Sequence, residues 1–275
     1  MSIFSSEPIS EHLTRIVAPC GVCMYLVKGR DRAVLLDTGF GFGDLKSYLE
    51  SLVDTPYTVL LSHGHLDHAG GAGQFEEVFL HPADWALERR HCTLQRRIDD
   101  VRHGPGGMPP RITEKDFLPS RTAPYTPLLP GQDFALGGVT VQVLPAAGHT
   151  AGSVIFLIPE DRVAIFGDAC GEHTLLLFPE STSIETYHRS LCALRAAAPA
   201  FDRVLRNHGN YESPKQILED NIALCEDILA GRDAAVPAEF HGSCGLLGRP
   251  EQHPGFTGNI VYDPAKLLDS EVAKS

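Results

Sequence analysis

His63-Gly64-His65-Leu66-Asp67-His68 sets three histidines and an aspartate, all able to ligate a metal, within six residues. In an extended segment side chains two apart share a side, so His63 and His65 converge on one ion. Asp67 and His68 then face a second position as the chain turns. Imidazoles crowded against a carboxylate repel or lose solvation unless a cation offsets the cost, which makes a purely structural purpose for this cluster uneconomical. The apolar run Tyr57-Thr58-Val59-Leu60-Leu61 before it reads as a buried strand. The histidines therefore sit at a strand's C-terminal tip, the edge at which α/β sheets usually bind ligands.

Outward from this segment, further candidate ligands also follow strands. Gly148-His149-Thr150 comes after the alternating run Val139–Leu144, Gly167-Asp168-Ala169 after Arg162–Phe166, and Asn207-His208-Gly209 after Arg203–Arg206. Singly, each has an ordinary reading as a satisfied histidine or a turn aspartate. Together they form a series of His or Asp beside small residues at one kind of location. Between them the periodicity predicts strands at Met24–Val27, Ala33–Leu36, Ser153–Ile158 and Asn259–Tyr262. It predicts helices around Leu45–Leu52, over Pro82–Val101, from Ile184 and over Pro214–Leu229, with Thr182 and Glu185 as a capping box for the third. Seven prolines between Gly104 and Gly131 deny that stretch a long helix or a central strand, and leave an irregular loop or lid.

Composition bounds the partners. The chain has 275 residues, 43% apolar and 21% charged, which suits a single domain over 1–275 with a Pro-rich insertion at 104–131 and a C-terminal extension at 232–275. Its 23 Lys and Arg against 35 Asp and Glu give a net charge of −12, so nucleic acid would approach against a repulsive field. The basic pair Arg96-Arg97 reads as a solvated helix face. Seven cysteines without a dense framework favour a reducing compartment, and Cys20-Gly21-Val22-Cys23 has no second pair with which to form a zinc ribbon. The opening Met1–Pro8 lacks a basic region followed by an apolar stretch, and no window approaches the ~20 apolar residues of a membrane span. The expectation is a cytoplasmic protein acting on a small molecule, with no nucleic-acid or membrane partner and with homo-oligomerisation left open.

With these motifs in view, the chain resembles the metallo-β-lactamase superfamily, whose His-x-His-x-Asp-His signature it carries intact at 63–68. Asp37-Thr38-Gly39, Ala69-Gly70-Gly71, Gly148-His149-Thr150, Gly167-Asp168 and His208 match the family's successive motifs, so the resemblance runs from about Val17 to Gly209. It implies an αββα sandwich, two mixed β-sheets with helices outside. It assigns His63, His65 and His149 to one metal, and Asp67, His68 and His208 to the other. Asp168 would bridge both, and Asp37 would orient a ligand from behind. The implied activity is hydrolysis by a bridging hydroxide steered by Asp67, at two divalent ions. Imidazole and carboxylate favour Zn2+, with Fe or Mn also suited. The motifs are most similar to glyoxalase II-like thioesterases and lactonases, which points to a thioester, ester or lactone. An iron-dependent oxidoreductase like the persulfide dioxygenases and a phosphodiesterase of the same superfamily are the alternatives. His173, close after Asp168, is a candidate substrate contact.

Overall fold

The computed structural model describes residues 3–251 and 255–269, so parts of the 232–275 extension lie outside the described residues. The chain clusters into two compact units. One comprises Met1–Val143, Ile158–Asp161 and Asn207–Gly209; the other comprises Leu144–Leu157, Arg162–Arg206 and Asn210–Ser275.

In the first unit, strands β1 (Ser5–Pro8), β2 (Leu13–Val17), β3 (Cys23–Lys28), β4 (Ala33–Leu36), β5 (Tyr57–Leu60), β6 (Val78–Leu80) and β7 (Thr126–Pro127) form a seven-stranded sheet in chain order. β1 to β4 pair antiparallel, and β4 to β7 pair parallel. β3 and β4 are apolar almost throughout and almost wholly buried, as central strands covered on both faces must be. Helices α1 (Leu45–Glu50), α2 (Leu66–Ala69), α3 (Trp85–His91) and α4 (Leu94–His103) alternate with the later strands, and β8 (Asp133–Ala135) pairs antiparallel with β9 (Thr140–Pro145).

The single helix expected over Pro82–Val101 is three pieces: a 3-10 turn at Pro82–Asp84, then α3, then α4. The chain leaves the helical path at Cys92 and restarts from an extended Thr93. That break frees the Cys92 carbonyl, which accepts from Arg97 Nε at 3.1 Å and from Ser120 Oγ at 2.7 Å. Arg97 is accordingly no part of a solvated face. It is 0% exposed, and its guanidinium also donates to the carbonyls of Phe40 and Leu118. The Pro-rich segment is fastened by this clamp and by Arg121, which donates to the carbonyls of Phe75, Glu76 and Pro124. Phe117 and Tyr125 are buried, and β7 occupies the sheet edge, where Pro127's missing N–H costs little.

In the second unit, β10 (Val154–Ile158), β11 (Val163–Ile165), β13 (Arg203–Leu205) and β14 (Glu212–Ser213) lie side by side in the order β14-β13-β11-β10. Helices α5 (Ile184–Ala197) and α6 (Ile217–Leu229) pack on each other. The cap of α5 differs by one residue from expectation: Ser183 Oγ accepts from Thr186 N, while Glu185 turns to the amide of Asp269. A further four-stranded sheet, ordered β12-β17-β16-β15, was not anticipated beyond its strand at Ile260–Tyr262 (β17). Its other members are β12 (Thr174–Leu176), β15 (Val236–Phe240) and β16 (Ser243–Leu247), whose mixed composition carries no clear alternation.

Candidate metal centre

The first unit gathers five of the seven expected ligands. β5 delivers the chain to His63, and α2 begins directly after His65, so Asp67 and His68 stand in its only turn. Behind them lies Asp37, 2% exposed and held at φ 65 just past β4. Its Oδ1 accepts from Ser62 N at 2.7 Å. Its Oδ2 accepts from Ser62 Oγ at 2.9 Å, from His68 Nδ1 at 2.9 Å and from Asn207 Nδ2 at 3.2 Å.

These bonds decide the tautomers. A carboxylate only accepts, so His68 carries its proton on Nδ1 and leaves Nε2 as the lone-pair nitrogen. The single hydroxyl proton of Ser62 goes to Asp37, so Ser62 Oγ can only accept from His63 Nδ1, 3.1 Å away, and His63 likewise keeps Nε2 for a ligand. His68 Nε2 lies 3.1 Å from His208 Nε2, and His208 Nε2 lies 3.0 Å from Asp67 Oδ2. Two imidazoles and a carboxylate oxygen therefore converge, all within 4.8 Å of one another. His63 Nε2 and His65 Nδ1 form a separate vertex at 3.2 Å. This donor set fits divalent metals that accept nitrogen and oxygen.

Glycines make the approach feasible. A Cβ on Gly71 would stand 2.4 Å from the Thr38 carbonyl, so only glycine lets the Asp37–Gly39 turn lie against the end of α2. Thr38 N donates to the His68 carbonyl at 2.7 Å, which locks that contact.

The second unit holds His149 and Asp168. A Cβ on Gly148 would meet the buried ring of Tyr187 at 2.3 Å, which explains the small residue beside His149. His149 Nδ1 donates to the Leu175 carbonyl at 2.8 Å, so its Nε2 is again the lone-pair nitrogen, 3.8 Å from Asp168 Oδ2. His173 is exposed, with its ring 3.4 Å from Glu251 Oε2. Burial pushes the Cys170 thiol up to about 12, so the cysteine nearest Asp168 in sequence is a protonated packing residue. No disulfide joins the described cysteines.

Three participants escaped the sequence reading. Ser62 links Asp37 to His63, Asn207 joins Asp37 to the Cys23 carbonyl at 2.7 Å, and His91 stacks on His65 with ring centroids 4.9 Å apart. Ser62 and Asn207 adjoin the expected ligands His63 and His208, and that adjacency was the available signal. His91 had none, because a histidine on a helix carries no mark of what its ring will face.

Comparison with known proteins agrees with this picture. The chain is 25% identical over 175 residues to the acyl-coenzyme A thioesterase MBLAC2 of Gallus gallus, covering 60% of this chain and 63% of that protein. It is 22% identical over 200 residues to the probable polyketide biosynthesis zinc-dependent hydrolase BaeB of Bacillus velezensis, covering 71% of this chain and 76% of that one. A solved metallo-beta-lactamase from Pontibacter korlensis superposes with a TM-score of 0.58 at 17% identity, over 82% of this chain and 99% of that one, and shows the shared fold of mixed sheets and helices. The chain thus spans just under two thirds of the thioesterase's length. Residues 17–224 match the metallo-beta-lactamase superfamily, and with the His/Asp constellation assembled as described, the chain belongs to that family.

Proposed function

We propose that this chain is a metal-dependent hydrolase of a small-molecule thioester, ester or lactone. The observation that carries the reading is the Asp37 hub, which directs the lone pairs of His63 and His68 away from itself while Asp67 and His208 converge on His68. A buried carboxylate spent on orienting two imidazoles is the arrangement that supports metal ligands. In the ligand order of the family, His63, His65 and His149 would hold one ion and Asp67, His68 and His208 the other, with Asp168 shared between the two sets. When bound, such ions supply Lewis acidity and lower the pKa of water from 15.7 towards ~7.

Asp67, at 3.0 Å from His208, accepts a hydrogen bond from the attacking water and aims it at the acyl carbon. No serine or thiol nucleophile is required. Zinc is the expected metal, supported by its preference for imidazole and carboxylate and by the zinc-dependent hydrolase among the relatives. The thioester class is supported by the acyl-coenzyme A thioesterase among them. No helix among the described residues is long and apolar enough to cross a membrane. Cysteines that are not joined in disulfides support a cytoplasmic setting.

Elemental analysis of the purified protein, paired with a screen of thioesters, lactones and phosphodiesters in an oxygen-electrode cell, tests the proposal. Two zinc equivalents and thioester or lactone turnover without oxygen uptake are expected, with Asp67→Ala losing about a hundredfold or more in kcat. Oxygen consumption would replace this reading with the iron-dependent oxidoreductase, and turnover of phosphodiesters alone with the phosphodiesterase.

A further inference from the structure

Beyond residue 224, where the family match ends, β15 and β16 form a hairpin whose strands pair from Val236↔Leu247 to Phe240↔Ser243. Its two-residue turn, His241-Gly242, has φ 49 and 74, the left-handed geometry that fits the twist of a hairpin. Glycine or asparagine usually fills such a position, whereas here a bulky ring stands at the first one.

The tip reaches back to a ligand. The Phe178 ring lies 6.1 Å from His149, edge on, and 6.4 Å from His241, so three rings run in sequence from the metal ligand to the turn. Phe240 lies 6.0 Å from His173, whose imidazole is engaged by Glu251. Phe178 and Phe240 are only half-buried, and both pack on the small cluster of Leu177, Leu247 and Val261.

One segment ties these features together. Leu175 on β12 fixes the His149 tautomer through its carbonyl, Leu177 just beyond β12 lies 3.3 Å from where a Gly245 Cβ would be, and Phe178 follows. The hairpin is thus registered to His149 through the β12-β17-β16-β15 sheet.

We propose that this hairpin is the acyl-recognition element of the enzyme. Phe178, Phe240 and the ring of His241 make a wall leading outward from His149, along which the hydrocarbon chain of a thioester lies. Two half-exposed phenyl rings gain by covering methylenes, and Glu251 already occupies His173, so the wall offers a hydrocarbon more than it offers a charged group. The inference rests on the hydrolase reading for its reaction, and on the ring series alone for its binding.

The test uses Phe240→Ala and His241→Gly in the zinc-loaded full chain. The second variant removes a ring at a backbone position that glycine adopts freely, which protects folding. Acetyl and octanoyl thioesters of N-acetylcysteamine are the substrates, and the S-octyl thioether of N-acetylcysteamine is the unreactive probe. We expect each variant to lose about tenfold in kcat/KM on the octanoyl substrate and less than about twofold on the acetyl one, with zinc content unchanged. Equal losses on both substrates, or none on either, overturn the proposal. If wild-type protein hydrolyses neither, thioether binding that weakens about tenfold in Phe240→Ala keeps the wall and removes the hydrolase reading. Thioether binding that is absent, or equal in wild type and variant, overturns the wall.

Discussion

Asp37 shows how much one residue can decide. It receives hydrogen bonds from Ser62, His68 and Asn207 and is almost fully buried, so its charge and its shape act together. Asparagine tolerates the same left-handed backbone at φ 65, so Asp37→Asn isolates the loss of charge from any strain. The amide must turn a donor towards groups that are themselves donors, which releases His68 and, through Ser62, His63. We expect metal affinity to fall roughly 10- to 100-fold, measured by chelator competition, with far-UV circular dichroism unchanged. The residue's importance was readable in the Asp-Thr-Gly motif. The relay through Ser62 was not, because a serine hydroxyl has no sequence signature for the direction in which it donates.

At the scale of elements, strands and helices with strong periodicity were legible, and short irregular ones were not. β3, β4, β5 and α6 fall where alternation and apolar spacing place them. The break between α3 and α4 was invisible, since Cys92-Thr93 includes neither glycine nor proline and only the partners of Arg97 make it worthwhile. Replacing Arg97 by methionine removes this donor from the carbonyls of Phe40 and Leu118, while the Cys92 carbonyl keeps Ser120. A loss of about 3 kcal/mol is expected from those unsatisfied groups, read as a lower urea midpoint at unchanged slope. Arg97→Lys keeps the charge but not the planar fork, and should recover only part of it.

For the whole molecule, one contribution to acid stability comes from Asp269, the last described residue. Asp269 accepts from Ser183 Oγ, Thr186 Oγ1 and Arg189, and these bonds, led by Ser183, hold its carboxyl down at about 2. A carboxyl whose pKa drops on folding stabilises the fold above its unfolded value near 3.8, and that contribution disappears as pH falls towards 2. Asp269→Asn should therefore melt a few degrees below wild type at pH 7, with the gap closing between pH 4 and pH 2 in a melting series. This contact joins residues more than eighty positions apart, a separation that no local pattern can report.

The sequence by itself determined the family, the candidate His and Asp residues of the site and the strands that most of them follow. Those depend on side-chain chemistry and on spacings of two to four residues, which are written locally. Only the tertiary structure decided which nitrogen of His63, His68 and His149 is left with its lone pair, that Arg97 is a buried clamp, and that a hairpin past the family match comes up to Phe178, the ring that lies against His149. Each of those outcomes depends on the direction of a hydrogen bond or on a contact between distant segments, and both come into being only when the chain has folded.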